Sequence, residues 1–155
     1  MVEFGVITTN EILAEIFDYV SSAFYKDMKK YIKPIPTAIT FIKSLKSRGV
    51  KTGIVTSDSI ESTALTLDFF DWNDLFDVFV GRESSNETKE SGALTKIALE
   101  SLNADPKTTV MIGDAPMDYI SAKNASIDAT ILVATGQIDK NSLFETSQFC
   151  LNSLN

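Results

Sequence analysis

Short runs rich in β-branched residues alternate with helical stretches along this chain, and that alternation limits its fold more than any other feature. Residues 50–56, 76–80, 109–112 and 129–134 are brief, apolar and bounded by Gly or polar clusters, the signature of strands. Between them, 37–47, 59–70, 92–102 and 116–125 read as helices. Phe41, Ile42 and Leu45 face inward in the first of these, with Gly49 as its stop, and Leu94, Ile97, Ala98 and Leu102 are spaced for burial in the third. Pro116 stands near the start of the fourth. A final helix and a short strand follow. Strand and helix in alternation imply the α/β class with a doubly wound parallel sheet, and 155 residues suffice for one such core. Ahead of it, Thr8-Thr-Asn-Glu11 has the form of a capping box, with Ile12, Ile16, Tyr19, Val20, Ala23 and Phe24 on one helical face. Residues 25–36 hold four lysines (Lys26, Lys29, Lys30, Lys33) and two prolines, and read as a hinge or short helix end. Such lysines can attract phosphate, but the preferred reading is a solvated face.

Several function classes fall away on simple grounds. A net charge of −7 argues against nucleic acid as a main partner, since a phosphate backbone needs a basic footprint. With no His in the chain, His bases and His metal ligands are excluded. A lone Cys150 gives no internal disulfide and suits a reducing, cytoplasmic setting. No apolar run approaches the roughly 20 residues of a membrane span. The N-terminus does not resemble a signal peptide, because Glu3 precedes a broken apolar stretch.

The most informative local feature is Val110-Met-Ile-Gly-Asp114-Ala-Pro-Met-Asp118. The apolar strand stops at Gly113, an acid follows, and a second acid falls four positions later on the first turn of a helix. Both carboxylates therefore sit at the carboxyl end of a strand, where open α/β sheets bind ligands. Burying charge is expensive unless it is paired or metal-bound. A hard cation such as Mg²⁺ suits such a pair, since it takes one or two carboxylates together with phosphate oxygens. The competing reading is structural, with one acid as an N-cap and the other as a helix-dipole partner. Elsewhere Thr56 tops the strand 50–56 and runs into Ser57, Asp58 and Ser59, residues that also serve simply to cap the next helix. Lys89 stands in a polar loop, where a lysine is usually solvated.

Taken in order, these pieces resemble the haloacid dehalogenase-like hydrolase superfamily, most closely its phosphoglycolate phosphatase-like members. Ile35-Pro-Thr-Ala followed by Phe-Ile-Lys-Ser-Leu-Lys-Ser-Arg-Gly-Val resembles the lead into the family's motif II, with Thr56 at the motif's Ser/Thr. Lys89 falls where the motif III lysine belongs, Gly113-Asp114 with Asp118 matches motif IV, and Asp105-Pro106 and the stretch from Ala122-Lys-Asn-Ala125 to Gly136 follow the pattern. Two departures stand out. Lys89 is followed by Glu-Ser-Gly where Pro-x-Pro is usual, and the sequence holds no Asp-x-Asp, the motif I that supplies the family's nucleophile. Aligning Gly5-Val-Ile with the residues after that motif puts Val2 and Phe4 at the two acid positions. Preferred here is the reading in which residues 1–34 are a remnant of the family's helical cap and 35–155 a Rossmann-like core lacking its first strand. A missing central strand predicts an open slot or edge in the sheet and a tendency to dimerise or aggregate.

The resemblance implies Mg²⁺-dependent hydrolysis of a small phosphorylated metabolite through an aspartyl-phosphate. On this reading Thr56 and Ser57 contact the phosphoryl group and Asp58 lines the mouth. Lys89 neutralises charge and holds the nucleophile, Asp114 ligates Mg²⁺, and Asp118 orients the metal or the lysine. Without the nucleophile the chain is expected to be inactive. Two other classes compete: a non-catalytic domain of the same family that binds phosphate, metal or a protein, and a phospho-acceptor receiver domain. Receivers place their acid pair first and their lysine at a strand end, the reverse of the order here. Nucleic acid and membrane are not expected partners; a homodimer is.

Overall fold

The computed structural model describes residues 32–136, 138–147 and 149–152, together with residue 9 and scattered positions from 12 to 30. These fall into two units, Met1–Ile35 and Pro36–Asn155. In the first, the Thr9 hydroxyl accepts the Ile12 N–H at 3.3 Å; Thr8, Asn10 and Glu11, the rest of the expected capping box, lie outside the described residues, as do 2–7 and Phe24. Ile12, Ile16, Tyr19 and Val20 are helical and exposed. Lys26 and Lys30 are also helical and residues 32–35 are not, so the described residues of 25–36 agree with the helix-end reading. Lysine is a good helix former.

The second unit is the α/β core. Its elements are α1 (Pro36–Ser47), β1 (Gly53–Val55), α2 (Ile60–Phe69), β2 (Val78–Val80), α3 (Ala93–Leu102), β3 (Val110–Gly113), α4 (Pro116–Asn124), β4 (Ala129–Val133), α5 (Lys140–Thr146) and β5 (Cys150–Leu151). All strand pairs are parallel, as the alternation predicts. They form two sheets: β1 pairs β2, with Ile54 opposite Phe79, and β3–β4–β5 stand in order, with Ile112 opposite Ile131. Local chemistry sets the boundaries. Ser59 caps α2 by accepting the Ser62 N–H at 3.0 Å, and Asp139 caps α5 through the N–H groups of Asn141 and Ser142.

The core is divided. Val80, Leu94 and Ala98 form one cluster beneath the β1–β2 sheet. Leu99, Ala122, Ala125 and Ile127 form a second between α3 and α4, and Leu132, Leu143 and Cys150 a third on the far strands. Leu132 and Leu143 are 0 % exposed, each contributing about 1.5–3 kcal/mol by burial. A buried hydroxyl pair, Thr95 Oγ1 to Ser121 Oγ at 2.7 Å, joins α3 to α4. Between β1 and β3 lies a cavity of about 430 Å³. The inward residues of α1, Phe41, Ile42 and Leu45, line it and are only half-buried.

Candidate active site

The carboxyl ends of β1, β2 and β3 carry every site residue expected from the sequence. Lys89 opens a single helical turn, Lys89–Ser91, that follows β2 and leads into α3. That turn is tied to the end of α4, where Asn124 Nδ2 donates to the Glu90 carbonyl at 2.7 Å. So held, the Lys89 side chain crosses to α4 and its Nζ lies 2.6 Å from Asp118 Oδ1. Both side chains are largely buried, at 13 % and 6 % exposure, so the pair sits in a medium where charges interact far more strongly than in water.

Asp118 is the centre of the arrangement. As the third residue of α4, it reaches back with Oδ2 to accept the N–H groups of Asp114 and Ala115, both at 3.0 Å. This is half of a capping box, since Ala115 has no side-chain oxygen to reciprocate. The carboxylate lies folded over Gly113, where a Cβ would overlap its atoms. That explains why the strand ends in glycine. The structural and the chemical readings of the acid pair therefore both apply to Asp118. Both of its oxygens are engaged within the protein.

Asp114 differs. Its side chain is exposed, and no described hydrogen bond or ion pair holds its carboxylate. It lies against Gly136, where any Cβ would collide with the carboxylate. Gly136 belongs to the loop after β4 and approaches closely because it lacks a side chain. One lysine against two carboxylates leaves the site net negative. Among the described residues no group of three acids, Cys or His is gathered. An open carboxylate nonetheless fits Mg²⁺, a hard cation that keeps several waters and takes few protein ligands.

Thr56 stands at the end of β1, its N–H bonded to the Val80 carbonyl at 3.0 Å. Its Oγ1 accepts the Asp58 N–H at 3.0 Å, shaping the turn. Ser57 and Asp58 are exposed beside it. The Asp58 carbonyl accepts the Arg82 N–H at 2.9 Å, joining the loops after β1 and β2. Glu83 adds a second tie, accepting the Ile60 N–H at 2.9 Å, and this bond holds its carboxyl below the usual range. Lys89, Asp114 and Asp118 line the cavity between β1 and β3; Thr56 and Ser57 do not. Sequence reading assigned no role to Asn124, Gly136 or Ser121. All three lie within the stretch that carried the family pattern, but tertiary contact alone reveals what they do.

Comparison with known proteins gives the family. The family model for haloacid dehalogenase-like hydrolase matches residues 2–132. The chain is 29 % identical over 126 residues to phosphoglycolate phosphatase of Psychrobacter arcticus, covering 79 % of this chain and 55 % of that protein. It is 27 % identical over 103 residues to pyrophosphatase PpaX of Halalkalibacterium halodurans, covering 66 % and 48 %. The chain thus spans about half the length of these curated relatives. The crystal structure of CbbY from Rhodobacter sphaeroides, in complex with phosphate, superposes with a TM-score of 0.81 at 20 % identity, covering 99 % of this chain and 68 % of CbbY; at that identity the likeness shows the fold. No helix among the described residues is long and apolar enough to cross a membrane. With the family model matching most of its length, the chain belongs to the haloacid dehalogenase-like hydrolases, in the branch that includes phosphoglycolate phosphatase.

Proposed function

We propose that the Lys89–Asp118–Asp114 constellation is the phosphate- and metal-binding part of a phosphohydrolase acting on small-molecule phosphate monoesters. The observation that carries this reading is the division of labour between the two acids. Asp118 is committed to Lys89 and two main-chain N–H groups, while Asp114 presents an open carboxylate beside them. Asp114 would hold Mg²⁺, with Asp118 behind it fixing the Asp114 main chain and aiming the ammonium of Lys89. The metal, when bound, supplies charge neutralisation for a phosphoryl oxygen. Lys89 adds a second positive charge, already positioned, which is what a transition state with charge spread over three equatorial oxygens requires. The Thr56 hydroxyl, at the end of the neighbouring strand, would donate to a phosphoryl oxygen while still accepting from Asp58, since a hydroxyl does both.

The 155-residue sequence contains no Asp-x-Asp, and neither Thr56 nor Lys89 replaces a carboxylate nucleophile here. The chain by itself is therefore proposed to bind Mg²⁺ and phosphate without turnover. Thermal unfolding with Mg²⁺ and inorganic phosphate tests the binding. The expected result is a rise in Tm for the wild type and little or none for Asp114→Asn; equal rises would remove Asp114 from the site. Hydrolysis of p-nitrophenyl phosphate that depends on Lys89 would overturn the absence of turnover.

A further inference from the structure

The turn that carries Lys89 is held in shape by its own bonds and in place by α4. Within it, the N–H groups of Ser91 and Gly92 donate to the carbonyls of Thr88 and Lys89. The Ser91 hydroxyl donates to the Thr88 carbonyl and accepts the Ala93 N–H. These bonds fix a conformation and leave its position open. Position comes from α4, which meets the turn at both of its ends. In the first turn of α4 stands Asp118, paired with Lys89. At its last residue, the Asn124 side-chain amide donates to the Glu90 carbonyl at 2.7 Å. Asp118 and Asn124 are about 9 Å apart along the helix axis, so the two ties align the turn along α4 and do not merely pin it at one point. The turn also rests directly on the helix end. Gly92 has φ +82, and a Cβ there would lie 2.9 Å from the Asn124 Cβ and backbone carbon and 3.0 Å from the Ala125 nitrogen. Glycine is required twice here, by the left-handed backbone and by the close approach. The buried Thr95–Ser121 hydroxyl bond continues the same seam between α3 and α4.

We infer that Asn124 is a positioning residue: through the Glu90 carbonyl it sets where the turn lies along α4, and so where the Lys89 ammonium stands when a phosphoryl group arrives. The ion pair with Asp118 does not fix that place by itself. An ammonium is a compact point charge on a flexible four-carbon stem, so it meets a carboxylate from many main-chain positions. To serve Asp118 and a phosphoryl oxygen together, it must also be placed from its backbone. The Glu90 carbonyl belongs to the next residue, so a shift of that carbonyl is a shift of the Lys89 main chain. Displacements of about 1 Å at a positioned group are enough to weaken its action severely. Gly92 lets the turn sit down on the helix, and the Asn124 amide fixes its direction once seated. Asn suits this place because its amide nitrogen donates. A carboxylate of the same size would set acceptor against acceptor. The phosphoryl group in this inference rests on the phosphohydrolase reading; the placement of Lys89 does not.

Two measurements on variants of residue 124 test it. The first follows water exchange of the Lys89 ammonium protons in ¹⁵N-lysine-labelled protein without phosphate, the signal being identified by its loss in Lys89→Met. The second is the affinity for inorganic phosphate in the presence of Mg²⁺, by calorimetric titration. Asn124→Asp keeps the size of the side chain and loses the donor. It is expected to speed ammonium exchange and to weaken phosphate binding, each by about threefold or more, the scale of one lost hydrogen bond. Asn124→Gln keeps the amide and should stay near the wild type in both. Leu67→Ala, which weakens the fold from the buried side of α2, should move neither. Wild-type exchange or wild-type phosphate affinity in Asn124→Asp would overturn the inference. Equal changes in Leu67→Ala would overturn it in favour of general stability, and equal changes in Asn124→Gln in favour of side-chain fit. Because exchange is read without phosphate, a wild type that binds no phosphate sinks the phosphohydrolase reading, and the exchange rates still decide whether Asn124 places Lys89.

Discussion

Lys89 and Asp118, brought together from the turn before α3 and the first turn of α4, form an ion pair of 2.6 Å that is almost shut off from water. The two partners are not equivalent. Asp118 also satisfies the Asp114 and Ala115 N–H groups, whereas this carboxylate is the one described partner of the Lys89 ammonium.

Removing each partner should therefore have unequal consequences. Asp118→Ala leaves a largely buried ammonium unpaired and strips two main-chain donors, so its cost is expected at the upper end of the roughly 3–5 kcal/mol typical of a broken buried pair. Lys89→Met removes the charge that needed pairing and leaves the carboxylate its two N–H bonds, so about 1–3 kcal/mol is expected. Urea unfolding of both variants checks the order. A Lys89→Met variant less stable than Asp118→Ala would contradict the central position given to Asp118.

Gly113 is a second point of sensitivity. A methyl group there would overlap the Asp118 carboxylate, and α4 leaves that residue little freedom to retreat. Gly113→Ala is expected to cost about 1–3 kcal/mol as overpacking. It should also perturb the Asp114 and Ala115 amide resonances, because their shared acceptor is displaced. An unchanged spectrum would show that the carboxylate is not held where the structure puts it.

Asp77 predicts an acid-sensitive joint away from the site. Its carboxylate accepts from the Lys46 ammonium and the Thr52 N–H, tying α1 to the start of β1, and the Lys46 bond above all lowers its pKa. A carboxyl depressed on folding stabilises the protein above its unfolded pKa of about 3.9. That contribution is lost as pH falls below 3.9 and through the folded value. Asp77→Asn should therefore be less stable than the wild type at pH 7 and converge toward it as the pH falls below 3.9. Parallel pH profiles for the two proteins would refute this. The pair is half-exposed, so added salt should narrow the difference.

Much of this was legible from residue order. Strand and helix positions follow from apolar periodicity, and the end of β3 from Gly113. The Gly-Asp–Asp118 spacing placed an acid pair at a strand's carboxyl end because strand and helix periods are regular enough to project it. What could not be projected depends on contacts between elements. Leu99 and Thr95 are buried on α3 because α3 meets α4 as well as β1 and β2, so its apolar face is wider than one stripe. The exposed Asp114 and the enclosed Asp118 look alike in sequence, and Lys89 and Gly136 separate them in space. The Thr56 hydroxyl, expected to face a phosphate, accepts from its own turn, a local bond that Ser, Thr and Asp form readily.

Gly136 offers the sharpest test of how the open carboxylate is positioned. Because a Cβ at residue 136 would collide with the Asp114 side chain, Gly136→Ala must move either the loop after β4 or the carboxylate itself. Gly136 is exposed and belongs to none of the three core clusters, so stability should change by less than about 1 kcal/mol. If Asp114 holds Mg²⁺, however, its oxygens must meet a cation that demands near-ideal octahedral geometry, and a shifted carboxylate meets it poorly. Calorimetric titration should then show Mg²⁺ affinity weakened about tenfold or more, a difference of about 1.4 kcal/mol. Asp114→Asn should lose binding altogether. Wild-type affinity in Gly136→Ala, alongside loss in Asp114→Asn, would keep the metal ligand but show that the glycine does not set its position. Unchanged affinity in both variants would place Mg²⁺ binding elsewhere on the chain.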